Sequence, residues 1–75
     1  MNWQHDGDAW NARTDTNTYQ IKRYVDGWGK ELIELIANGE SWRKTQILRN
    51  GLQESKRVYE LAEMMKSADD YEARQ

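Results

Sequence analysis

The chain has one histidine, His5, and Asp6, Asp8 and Asp15 follow close behind it. These are the residues nearest to a metal-binding constellation. A structural or catalytic metal needs three or four ligands at defined spacing, most often His and Cys. With no Cys and a single His, carboxylates would have to supply the rest, and no calcium-loop spacing occurs. Turn formation accounts for these aspartates more simply, since Asp bonds its own backbone where a chain reverses. Nucleophilic catalysis needs a nucleophile and a base within hydrogen-bond reach. Ser41, Ser55 and Ser67 have no base nearby in the sequence. Neither type of glycine-rich phosphate loop is present, and 75 residues leave little room for a deep pocket. The residues therefore argue against an enzyme, and no metal or cofactor is expected.

Binding chemistry has more material. Residues 41–57 carry Arg43, Lys44, Arg49, Lys56 and Arg57 against Glu54, a net charge of +4. Residues 60–72 carry five acidic residues against Lys66, a net charge of −4. A basic strand bearing Trp42, close to a helix start, could grip phosphates and stack a base. The nucleic-acid set is then Lys22, Trp42, Lys44, Arg49, Lys56 and Arg57. The bland alternative is a solvated face that keeps a small domain soluble. Arg43 and Lys44 are adjacent in a candidate strand and point to opposite faces, which weakens a single basic patch. A second set suits a protein partner: Tyr24, Trp28, Trp42, Arg43 and Arg49. Exposed Trp, Tyr and Arg are the residues that dominate interface energetics. The bland alternative here is that all four tryptophans lie in the core or at the rim of a sheet. An open sheet edge offers a further route, to a partner strand or to a homodimer.

The elements that would position these residues come from a small, aromatic-dependent chain. It has four Trp and four Tyr but no Phe, and 37% of its residues are hydrophobic. A chain of this length buries only about 60% of the surface its unfolded form exposes. The aromatic rings must then supply much of the core, at about 150–250 Å² each. A net charge of −2 makes no global demand for nucleic acid or membrane. Apolar pairs such as Leu32-Ile33 and Leu35-Ile36 fall far short of a membrane span, and the N-terminus lacks the form of a secretory signal. The expected location is the cytoplasm of the cell that makes the chain.

The expected fold class is α+β: a small antiparallel meander of four to five short strands, with one C-terminal helix packed on one face. Residues 1–75 form one domain. Strands are expected at about 2–5, 8–14, 18–25, 30–37 and 41–48, a helix at about 52–66 and a fraying acidic tail at 67–75. A two-residue turn at Asp6-Gly7 would set Trp3 opposite Trp10 and His5 opposite Asp8. In residues 18–25, Tyr19, Ile21, Arg23 and Val25 share one face, and Gln20, Lys22 and Tyr24 share a wetter one. Residues 30–37 read two ways. Leu32, Ile33, Leu35 and Ile36 have helical spacing, with Gly39 as a C-cap. Asn38-Gly39 between two candidate strands is instead the strongest short hairpin signal, and a helix this short needs strong packing to survive. The hairpin is preferred, with Leu35 opposite Trp42 and Glu34 opposite Arg43. The helix stripe is expected to be Leu52, Ser55, Val58, Tyr59, Ala62 and Met65, with Ser55 and Ala62 allowing close approach to the sheet.

The succession Trp10-Asn11-Ala12, Tyr19-Gln20-Ile21, Asp26-Gly27-Trp28 and a late helix from Leu52 through Ala62-Glu63-Met64 resembles short sheet-plus-helix proteins of bacteriophages and other mobile elements. That resemblance spans most of the chain. It implies a non-enzymatic inhibitor of a host protein, of the anti-CRISPR kind, that occludes the surface of a CRISPR or other defence complex. A three-stranded sheet followed by a helix also resembles integrase arm-binding DNA readers, but the candidate reading strands here are not consistently basic. The alternative function is a small DNA- or RNA-binding module. No functional residue carries over from either group.

Overall fold

The computed structural model describes residues 1–47 and 53–74, with helix side chains described from residue 60 onward. The strands are β1 (Gln4–Asp6), β2 (Ala9–Arg13), β3 (Thr18–Val25), β4 (Glu31–Ala37) and β5 (Glu40–Gln46), and the helix is α1 (Gln53–Ala73). The strands form one sheet in the order β1-β2-β3-β4-β5, each antiparallel to the next. The ambiguous segment is therefore a strand. Its paired apolar residues mimic helical spacing because β4 is largely buried on both faces, and such strands read as continuous apolar runs. Ile33, Leu35 and Ala37 are buried on one face, while Glu34 is buried and Leu32 and Ile36 half-buried on the other.

The core lies between α1 and one face of the sheet. Ile21, Ile33, Leu35 and Met64 are fully buried there, with Trp10, Tyr19 and Ala68 around them. Burying each large side chain contributes about 1.5–3 kcal/mol. Trp3, Leu61, Met65 and Tyr71 pack against this cluster from its rim.

Register departs from expectation in two places. His5 pairs with Trp10 and Asp6 with Ala9, so the first turn is Gly7-Asp8 rather than Asp6-Gly7. Gly7 takes the positive φ of 62° at the first central position, where a type II′ hairpin requires glycine. His5 then stacks on Trp10, with ring centroids 4.4 Å apart and planes 3° from parallel. At the β4–β5 hairpin, Asn38 and Gly39 both have positive φ (54° and 82°), as a type I′ turn demands. Ala37 pairs with Glu40 and Ile36 with Ser41, but the register then shifts by one at a β-bulge. Leu35 faces Arg43 and Glu34 faces Lys44, not Trp42 and Arg43. The extra residue is Trp42, and a bulge swings it toward the helix side.

The helix also differs. It runs to Ala73, so residues 67–73 are not a frayed tail. Its buried stripe is Glu60, Met64 and Ala68, while Ala62 of the expected stripe is exposed and Met65 half-buried. Ala68 rather than Ala62 is the small residue set against the sheet. Leu52 lies outside the described residues, as do the side chains of Ser55, Val58 and Tyr59. The physical reason for the longer helix is tertiary: Ala68, Tyr71 and Glu72 all find partners on the sheet.

Candidate functional site

The β3–β4 turn is built around one carboxylate. Asp26 Oδ1 accepts the backbone N–H groups of Trp28 and Lys30, each at 2.9 Å. Asp26 N–H donates to the Lys30 carbonyl at 3.0 Å, and Gly29 N–H donates to the Asp26 carbonyl at 3.1 Å. The Lys30 N–H leads the interactions that hold the Asp26 carboxyl below its ordinary range. Gly29 closes the turn with φ of 78°, a conformation that costs other residues about 1–2 kcal/mol. This frame presents Trp28 with 87% of its surface exposed, beside Val25 at 58%. A large apolar ring held outward on a hydrogen-bonded turn is a ready anchor for a pocket on another molecule.

The other expected partner-binding residues lie elsewhere. Tyr24 is half-buried on the sheet face away from α1, with Lys22 Nζ 5.3 Å from its ring centroid. Trp42 stands on the helix side, its ring 4.9 Å from Tyr71 in an edge contact, with Arg74 5.8 Å from its centroid. Arg43 Nη1 donates to Ser67 Oγ at 2.7 Å. Trp42, 45% exposed, and Arg43 thus join α1 to β5. Arg49 lies outside the described residues.

The nucleic-acid set is likewise divided. Lys22 and Lys44 flank Glu34 on the face away from α1, with Lys22 Nζ 3.9 Å from the Glu34 carboxylate. Trp42 is on the opposite face. The side chains of Lys56 and Arg57 lie outside the described residues. Among the described members, Lys22 and Lys44 share one face of the sheet and Trp42 lies on the other. Arg43 and Lys44 do point to opposite faces, as expected of neighbours in a strand.

Sequence reasoning missed a polar latch at the far end of the sheet. Asn17 is only 4% exposed. Its Nδ2 donates to Glu72 Oε2 at 2.8 Å, and its Oδ1 accepts from Asn38 Nδ2 at 2.8 Å. The buried Tyr19 hydroxyl donates to the same Glu72 oxygen, and Thr16 Oγ1 donates to Glu72 Oε1 at 3.1 Å. The Tyr19 hydroxyl, followed by the Asn17 carboxamide, holds the Glu72 carboxyl down to about 2. Burial, then Glu72, pushes the Tyr19 phenol well above its usual value. These partners are up to 56 residues apart. The only local signal was the polar turn at residues 15–17.

The described residues contain no group of three or more His, Cys, Asp or Glu placed to hold a metal ion. None of the described helices is long and apolar enough to cross a membrane. The geometry defines a small α+β protein, a five-stranded antiparallel meander with one helix packed across one face. Comparison with protein-family models, curated proteins and solved structures returns no match.

Proposed function

We propose that this chain is a non-enzymatic binding protein that occludes a surface on a partner protein, with Trp28 as its anchor. One observation carries the reading: an indole 87% exposed on a turn whose backbone is pinned by Asp26. A preorganised turn loses little conformational freedom on binding, so more of the burial energy appears as affinity. The resemblance to mobile-element proteins supplies the setting, in which the partner is a host protein such as a component of a CRISPR or other defence complex.

The test compares wild type with Trp28→Ala. Protein captured from host lysate by the wild type is purified, and its affinity for each form is measured directly. The expected loss for Trp28→Ala is about 30-fold or more, the effect of removing a hot spot of about 2 kcal/mol. The thermal melt should not move, since the side chain is outside the core. Equal affinity for the two forms would remove Trp28 from the interface and the reading with it.

A further inference from the structure

α1 covers one face of the sheet, and the opposite face has an ordered arrangement of its own. Along β3 its residues fall in four rows, set by the strand register. Arg13 lies beside Thr18. Next comes a carboxamide row, Gln4, Asn11 and Gln20, on three neighbouring strands, with Gln20 Nε2 donating to Asn11 Oδ1 at 3.2 Å. Then come Lys22, Glu34 and Lys44, and last Tyr24 beside Leu32. A shallow depression of about 510 Å³ opens over the first two rows, lined by Asn2, Gln4, Asn11, Arg13 and Thr18 among others.

Charge separates across the sheet. Glu34 is 8% exposed, sunk between two lysines, whereas Arg13 and Lys44 are exposed and 43% of the Lys22 side chain is accessible. Asp6, on the short edge strand β1, is the remaining charged strand residue on this face. Asp69 and Asp70 are exposed on α1, on the far side of the molecule. Among the described strand residues of this face the accessible charge is therefore mainly positive, although the chain is net −2.

We propose that the open face takes a single-stranded nucleic acid. Charge complementarity selects a polyanion. Arg13, Lys22 and Lys44 contact phosphates, the carboxamide row meets the edges of unpaired bases, and the Tyr24 ring stacks one base. The rows span about 20 Å along β3, six residues at roughly 3.3 Å each, enough for roughly four nucleotides, the low end of known site sizes. Carboxamides reach base edges most freely on an unpaired strand, whose bases are not masked by pairing. This surface keeps Lys22 and Lys44 of the expected nucleic-acid set and adds Arg13, Tyr24 and the amides.

The experiment is fluorescence anisotropy with short labelled single strands of DNA and RNA and matching duplexes, at about 50 and about 200 mM salt. Three phosphate contacts to a single strand predict a fall in affinity of about 20-fold across that range, and one contact a fall of about threefold. Wild type should show the steeper fall, and the Arg13→Gln/Lys44→Gln variant the shallower one with weaker binding at low salt. Arg13→Lys/Lys44→Arg, which keeps both charges, should retain the wild-type slope. Tyr24→Leu should lose roughly fivefold or more in affinity at unchanged slope, the loss of one stacked base. Trp28→Ala should bind as wild type does, so this inference and the partner reading fail separately. No binding at the lower salt, tighter binding of duplex than of single strands, or indifference to these substitutions would overturn the proposal. Competition by poly-glutamate as effective as by unlabelled strand would also overturn it, since the face would then attract any polyanion.

Discussion

Asn17 and Glu72 show what a single buried polar group does in a chain this small. Asn17 is nearly inaccessible, yet its carboxamide engages groups from two other parts of the fold. Removing it deletes two side-chain hydrogen bonds, one of them to a carboxylate, at a cost of about 1–3 kcal/mol. Asn17→Ala should therefore lower the melting temperature by on the order of 10 °C, since 1 kcal/mol moves a domain of this size by roughly 4–8 °C. Calorimetry would decide, and an unchanged melt would make the latch ornamental. Glu72 adds a pH signature. Its folded value of about 2 lies below the ordinary 4.5, so the ionised carboxylate stabilises the fold fully above pH 4.5. That contribution drains away as pH falls toward 2. Melting temperatures measured between pH 7 and pH 2 should fall more steeply for wild type than for Glu72→Gln. Parallel curves would mean that the latch does not titrate. Tyr19 acts in the opposite sense: its raised value keeps the neutral phenol favoured, a contribution present below pH 10 and lost as the pH climbs beyond it.

At the scale of elements, the helix is the clearest case of tertiary context extending a local preference. The 3.6-residue spacing marks residues 52–66 well, but after Lys66 the sequence turns acidic, and composition suggests an end. The helix continues because Ala68 is fully buried, Tyr71 packs edge-on against both Tyr19 and Trp42, and Glu72 closes the latch. Ending the chain at Lys66 should therefore abolish the cooperative melt, because it removes one wall of the core from a domain whose whole stability is of order 4–11 kcal/mol. A truncated chain that melts like the full one, by circular dichroism, would restore the frayed-tail reading. The β4–β5 hairpin teaches a narrower lesson. Asn38-Gly39 is legible because a type I′ turn needs positive φ at both central residues. The bulge at Trp42 is not, because nothing local demands it. Its counterpart lies on the helix at the rim of the core, where Trp42 meets Tyr71 and Arg43 meets Ser67. The bulge also interrupts an edge strand, which blunts pairing with other chains.

For the whole molecule, two unlike surfaces stand on one small frame. The turn at Trp28 is an apolar point, and the open sheet face is a polar, mainly basic plane. The sequence by itself determined the class of fold, since alternation over residues 18–25, the Asn38-Gly39 turn and a late helical period are local consequences of backbone sterics and side-chain burial. It also marked Trp28 as a turn residue, between Gly27 and Gly29, and placed Lys22 and Tyr24 on the wetter face. Only the tertiary structure decided which aromatics are free. Trp10 is core, Trp42 braces the helix and Trp28 projects, although all three are the same residue in similar polar company. It alone decided that Lys22 and Lys44 share a face while Trp42 does not. The physical reason is that exposure depends on what packs from elsewhere in the chain, and a one-residue bulge changes which face a side chain occupies. Neither is encoded in spacing along the strand.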